Sequence, residues 1–123
     1  MEIFELNIPL YQQIVALLKR DIVSGVYRAG SKVPSIRDMA EKYEVTPNTI
    51  QRALQILENE KLIFTERTNG KFVTLDTQII DRLRSEILSD KIRNIVSELK
   101  PHNYSDEEIR NCIEKELMHS ENE

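Results

Sequence analysis

The chain has 123 residues, 40% hydrophobic and 31% charged, with a formal net charge of −4. That length admits one average domain, or a small domain with an appendage, and excludes the large multi-domain enzymes. Its apolar content, with only 3 Gly and 4 Pro, excludes a disordered chain and indicates a helix-rich soluble fold. The longest apolar runs, such as Ile14 to Leu18, fall far short of the roughly 20 residues needed to span a bilayer, so no membrane partner is expected. Met1-Glu2-Ile3-Phe4-Glu5 lacks the basic and apolar regions of a signal peptide, and a cytoplasmic location is expected. The single cysteine, Cys112, can form neither an internal disulfide nor a thiolate metal cage.

Charge is unevenly spread. Residues 1–75 hold 10 Lys/Arg against 9 Asp/Glu, whereas residues 76–123 hold 7 against 12. Between Arg28 and Lys71, eight basic residues face six acidic ones. The acidic total is weak guidance, because phosphate affinity depends on where cations sit.

In chain order, Pro9 opens a helical pattern with Ile14, Leu17, Leu18 and Ile22 at three- and four-residue steps, and Gly25 lies where a C-cap would. Ser24 to Pro34 carries Gly25 and Gly30 and reads as a sharply turning connector. Ser35, with Asp38 three residues on, predicts the N-terminus of a short second helix ending near Tyr43, with Ile36, Met39 and Ala40 on one face. Thr46-Pro47 predicts a third helix, Thr as cap and Pro at the first helical position. Its stripe of Ile50, Ala53, Leu54 and Leu57 leaves Asn48, Thr49, Gln51, Arg52 and Gln55 on or near the exposed side. Leu62 to Thr65 and Lys71 to Leu75 read as two short strands around a turn at Asn69-Gly70.

Beyond Asp76 the spacing predicts one long helix, Gln78 to Leu99, with a drifting stripe of Ile80, Leu83 and Ile87, then Leu88, Ile92, Ile95 and Leu99. About 22 residues would measure roughly 33 Å, longer than a small domain needs to cover its core. Pro101 ends it, and Ser105 to Glu108 fits a capping box for a last helix, Asp106 to about Met118, carrying Ile109, Cys112, Ile113 and Leu117 on one side. Cys112 is expected on a buried face, and Glu121 to Glu123 should fray.

Two short helices joined by the tight connector Glu44-Val45-Thr46 and followed by a hairpin form the pattern of a winged helix-turn-helix. A helix fits the major groove of duplex DNA, where Asn, Gln, Arg, Thr and Ser near its N-terminus can read base edges. Its positive end suits phosphate, and the hairpin would set Arg67 and Lys71 beside the groove. The bland alternatives are specific. Arg37 is spaced to pair with Glu41, Asn48 and Thr49 are common helix openers, Arg67 and Lys71 could be plain surface cations, and Tyr11, Tyr43 and Phe72 read as core or boundary packing.

The segments Pro9 to Ile14, Ile22 to Ala40, Val45 to Ile50 and Leu54 to Glu58 together resemble the GntR-type bacterial transcription regulators, and within them the YtrA-like branch. The resemblance implies DNA contact by the arginine after Pro-Ser, by the polar residues opening the recognition helix and by the wing glycine. Those are Arg37, Thr46, Asn48, Thr49, Gln51 and Gly70. Ala29 stands where the family usually has Pro, Ser31 where an acidic residue is common and Lys71 where a small Thr usually follows the wing glycine. Pro47 replaces a residue that is often basic in other branches, which shifts base readout to its neighbours.

The resulting expectation is a mainly α fold with a small β-hairpin wing: a winged helix-turn-helix DNA-binding domain over residues 1–75 and a two-helix dimerisation tail over residues 76–123. The resemblance implies a homodimer on palindromic double-stranded DNA, acting as repressor of its own or a transporter operon. A cavity between the tail helices would be the place for a small-molecule effector, although no residue names one. His102, His119 and Cys112 lack the three- or four-residue spacing of metal ligands on a helix. No nucleophile with base and orienter, phosphate loop or paired-carboxylate site is present, so neither an enzyme nor a cofactor is expected. A winged-helix module that docks a protein through its acidic tail, without DNA, is the alternative.

Overall fold

The computed structural model describes residues 4–121. The reading of a missing signal segment at Met1 to Ile3, and the fraying expected at Asn122 and Glu123, fall outside them. Five helices and one hairpin follow in order: α1 (Leu10–Ser24), α2 (Ile36–Tyr43), α3 (Pro47–Asn59), β1 (Ile63–Glu66), β2 (Gly70–Val73), α4 (Thr77–Leu99) and α5 (Asp106–Glu121), with a 3₁₀ turn at Lys100–His102 before α5. Among the described residues, no helix is long and apolar enough to cross a membrane. They fall into two compact units, one running to Glu86 and one from Ile87.

Local chemistry sets the helix ends of the first unit. Gly25 closes α1 in the left-handed conformation (φ 86°), which costs glycine nothing for want of a Cβ. The Ser35 side chain accepts from Asp38 N at the start of α2, and the Thr46 side chain accepts from Thr49 N at the start of α3. Glu44 takes a left-handed turn (φ 56°), and Val45 N then donates back to Ala40 O at 3.1 Å, fixing the angle between α2 and α3.

Apolar spacing puts Ile14, Leu18, Met39, Ile50, Leu54, Leu57 and Val73 in the fully buried core. There α3 packs against α1, α2 and β1. The hairpin pairs Ile63 with Val73 through Glu66 with Gly70, one residue from three of the expected strand ends and two short of Leu75 at the fourth. The connector before α2 is more than a turn. Lys32 bridges to Phe72, Val33 N donates to Lys71 O at 2.8 Å and Val73 N to Ser31 O at 2.9 Å, so the connector forms a third rung on β2. The opening of α4 belongs to this unit: Leu83 is buried, and Arg84 Nη2 donates to Val23 O at 2.6 Å.

In the second unit, Ser105 and Glu108 form the expected reciprocal capping box, with N···O distances of 3.1 Å both ways. Cys112 departs from expectation and is exposed. The cause is plain: no residue of α5 is fully buried within the chain, and even Ile109 and Ile113 on its apolar side are only half-buried.

Candidate nucleic-acid interface

The third helix exposes a polar face because its apolar residues are used in the core. Ile50, Ala53, Leu54 and Leu57 are buried, while Asn48, Gln51, Arg52 and Gln55, at three- and four-residue steps, are exposed on another side. Together with Leu10 and Tyr11 from the first turn of α1, they line an open groove. Thr46 is exposed and works as the cap. Its hydroxyl lies 3.0 Å from the Thr49 hydroxyl, which holds both side chains at the mouth of the helix. Pro47 carries no N–H and Thr49 N is taken by the cap, so the helix end has fewer open donors than an uncapped one.

Arg37 lies in the first turn of α2, highly exposed, with Nε 3.8 Å from the Glu41 carboxylate. Such a solvated i, i+4 pair holds the side chain only weakly and leaves most of its donors open.

The wing presents its cations unequally. Arg67 is exposed at the turn. Lys71 is half-buried: its Nζ donates to Thr65 Oγ1 at 2.7 Å and reaches Glu58 Oε2 of α3 at 3.5 Å. The Thr65 hydroxyl donates to the other Glu58 oxygen. That hydrogen bond holds the Glu58 carboxyl below its usual range, partial burial opposes it, and the Lys71 charge adds to the lowering. Gly70 adopts φ 99°, and a Cβ there would meet Lys32 Cε at 3.2 Å. Lys32 therefore lies against the wing tip and lines, with Ser35 and Asn69, a groove between the wing and the start of α2. Lys32 belongs to the basic residues between Arg28 and Lys71, and the rung on β2 is what brings it to the wing.

The structure gathers six of the nine sequence-identified residues at two places, and Arg37, Thr46 and Arg67 line neither. Asn48, Gln51 and Arg52 line the α3 groove together with the half-buried Thr49, and Gly70 and Lys71 line the wing groove. Tyr11 was read as packing and proves to carry the guanidinium of Arg52 over its ring, Cζ 3.8 Å from the centroid.

A helix-turn-helix whose second helix turns a bare polar face outward, followed by a two-stranded wing, is the architecture of a DNA-binding transcription regulator. Residues 10–73 match the family model of the bacterial regulatory proteins of the gntR family, and the chain belongs to that family. It is 30% identical over 106 residues to the HTH-type transcriptional regulator YhcF of Bacillus subtilis, covering 86% of this chain and 88% of the relative. It is 29% identical over 92 residues to the HTH-type transcriptional repressor YtrA of the same organism, covering 75% and 66%. Among solved structures, a GntR family transcriptional regulator from Listeria monocytogenes superposes with a TM-score of 0.86 at 38% identity, over 91% of this chain and 98% of that one. These proteins are transcription regulators, not enzymes.

Proposed function

We propose that this chain is a dimeric, sequence-specific repressor of its own or a transporter operon, acting on a palindromic operator in the cytoplasm. Residues 1–75 serve as the DNA-binding domain and residues 76–123 as the dimerisation tail. The observation that carries this reading is the polar face of α3, where Asn48, Gln51 and Arg52 stand exposed in one open groove. Side chains of these types at the start of a helix reach base edges in the major groove. Arg37, Thr46, Thr49, Gly70 and the wing cations Arg67 and Lys71 flank that face and serve phosphate contact and register. Repression is supported by the likeness to YtrA, which bears that description.

Dimerisation is supported by the second unit. Leu88, Ile92 and Ile95 of α4 and Leu117 and Met118 of α5 are exposed. Removing such a surface from water stabilises an assembly by about 25 cal/mol per Å². A two-fold pair would present two copies of α3 to half-sites about 34 Å apart, or a multiple of that, as palindromic operators require. The tail is also where a small-molecule effector would act. Labelled DNA from the region upstream of the chain's own gene, titrated with protein at several salt concentrations, tests the proposal. A specific complex that resists nonspecific competitor and weakens steeply with salt is expected. Absence of any such complex, with capture of a stable protein partner instead, would favour the interaction-module reading.

A further inference from the structure

Arg52 differs from Arg37, Arg84 and Arg93 in how it is held. Its Cζ lies 3.8 Å from the centroid of the Tyr11 ring, within the range of a strong cation–π stack. Tyr11 is itself anchored, half-buried in the first turn of α1, with Gln12 Nε2 donating to its hydroxyl at 3.2 Å. Arg37 and Arg93 are paired with carboxylates and Arg84 with a carbonyl. Among the described residues no acceptor takes a hydrogen bond from the Arg52 guanidinium. Its Cζ sits over an aromatic ring, and its donors are left unused in the groove shared with Asn48, Gln51 and Gln55.

We infer that Tyr11 is a positioning residue for Arg52, and that the stacked Arg52 donates in a fork to O6 and N7 of a guanine in each operator half-site. The inference rests on the DNA-binding reading above and adds to it a base and a second helix. A free surface arginine must give up rotamer freedom to make two parallel hydrogen bonds. A guanidinium already laid on a ring gives up less. The unused donors are what a guanine requires, since its major-groove edge shows two acceptors side by side. A phosphate oxygen can be met from many directions and gains little from a fixed plane, so the stack favours base readout.

The test uses the full chain and sites selected from random duplex DNA. A guanine is expected at one fixed place in each half-site. Replacing it by 7-deazaguanine, which lacks the N7 acceptor, should weaken wild-type binding about five- to tenfold and leave Arg52→Ala unchanged. Arg52→Lys should keep its affinity for random DNA and lose the guanine preference. Tyr11→Phe keeps the ring and should bind as wild type, whereas Tyr11→Leu should lose about two- to fivefold on the operator and nothing on random DNA. Tyr11→Met replaces Tyr11→Leu if that variant melts early. Specific binding that ignores 7-deazaguanine and Arg52→Ala would overturn the inference while leaving the operator reading intact. Equal behaviour of the Phe and Leu variants would overturn the role of Tyr11. A wild-type protein with no specific site at all would overturn both readings.

Discussion

Lys71 Nζ lies 3.5 Å from the Glu58 carboxylate and 2.7 Å from the Thr65 hydroxyl, tying the wing to the recognition helix. The cluster joins β1, β2 and α3, so the wing is braced from below by the element it flanks. Because the folded carboxyl of Glu58 is held low, its ionised form favours the folded state. That contribution is complete above the ordinary carboxylate value of about 4.5 and is lost as the pH falls through the lowered one. Glu58→Gln should therefore be less stable than wild type at pH 7, by about 0.5–1 kcal/mol, and the gap should close in urea melts toward pH 3. A gap that does not change with pH would contradict this account.

The same brace divides labour between the wing cations. Lys71 is occupied by Glu58 and Thr65, whereas Arg67 stands exposed at the turn. Arg67→Ala should weaken binding to operator and random DNA alike and flatten the dependence of log K on log salt by about one unit. Lys71→Ala should change that slope less and lower the melting temperature more. Titration of both variants across a salt series, beside thermal melts, separates the two roles.

Much of this was legible in the sequence, for identifiable reasons. Ser35 and Thr46 act as caps because a short side-chain oxygen placed one residue before a helix has one obvious partner, and the 3.6-residue stripe of α3 fixed which face is buried and which is left polar and exposed. The wing strands came within a residue at three of their ends and two residues too far at Leu75. The rung at Lys32 and the stack of Arg52 on Tyr11 were not legible. A single bridge has no alternating pattern to detect, and Tyr11 and Arg52 meet only after α1 has packed on α3. The exposure of Cys112 was misread for a related reason: an apolar stripe shows that a face needs cover, not that the same chain supplies it.

Asn48 and Arg37 should fail differently. Asn48 is exposed within the α3 groove and Arg37 in the first turn of α2, and in the proposed complex the first meets a base edge and the second a phosphate. Asn48→Ala should cost about 1–3 kcal/mol on the operator and little on random DNA. Arg37→Ala should lower both. Competition assays with specific and random duplexes measure the ratio, and equal losses for Asn48→Ala would deny it a reading role.

Two glycines allow conformational strain to be separated from crowding. Gly25 has φ 86° with open space around its would-be Cβ, while Gly70 has φ 99° with Lys32 Cε 3.2 Å away. Alanine at either place forces a left-handed conformation at about 1 kcal/mol. Gly25→Ala should lower the melting temperature and leave DNA affinity alone, because it only ends α1. Gly70→Ala should also displace Lys32 and the wing tip, so DNA affinity should fall with stability. Thermal melts and operator titrations on the same preparations make the comparison.

In the proposed dimer the tail decides whether two half-sites are bound together. Ile92 and Ile95 are 39% and 42% exposed and Leu117 is 60% exposed, an amount of aliphatic surface that a solitary small unit would hold in water at a cost. A charge on that surface must be desolvated if a second chain covers it, and is harmless if none does. Ile92→Glu should therefore shift the sedimenting species from dimer to monomer. It should lower affinity for a two-half-site operator about a hundredfold or more, since the second half-site then no longer binds at high effective concentration. Binding to an isolated half-site should be unchanged. Sedimentation of the wild-type protein as a single chain at micromolar concentration would refute the two-fold arrangement.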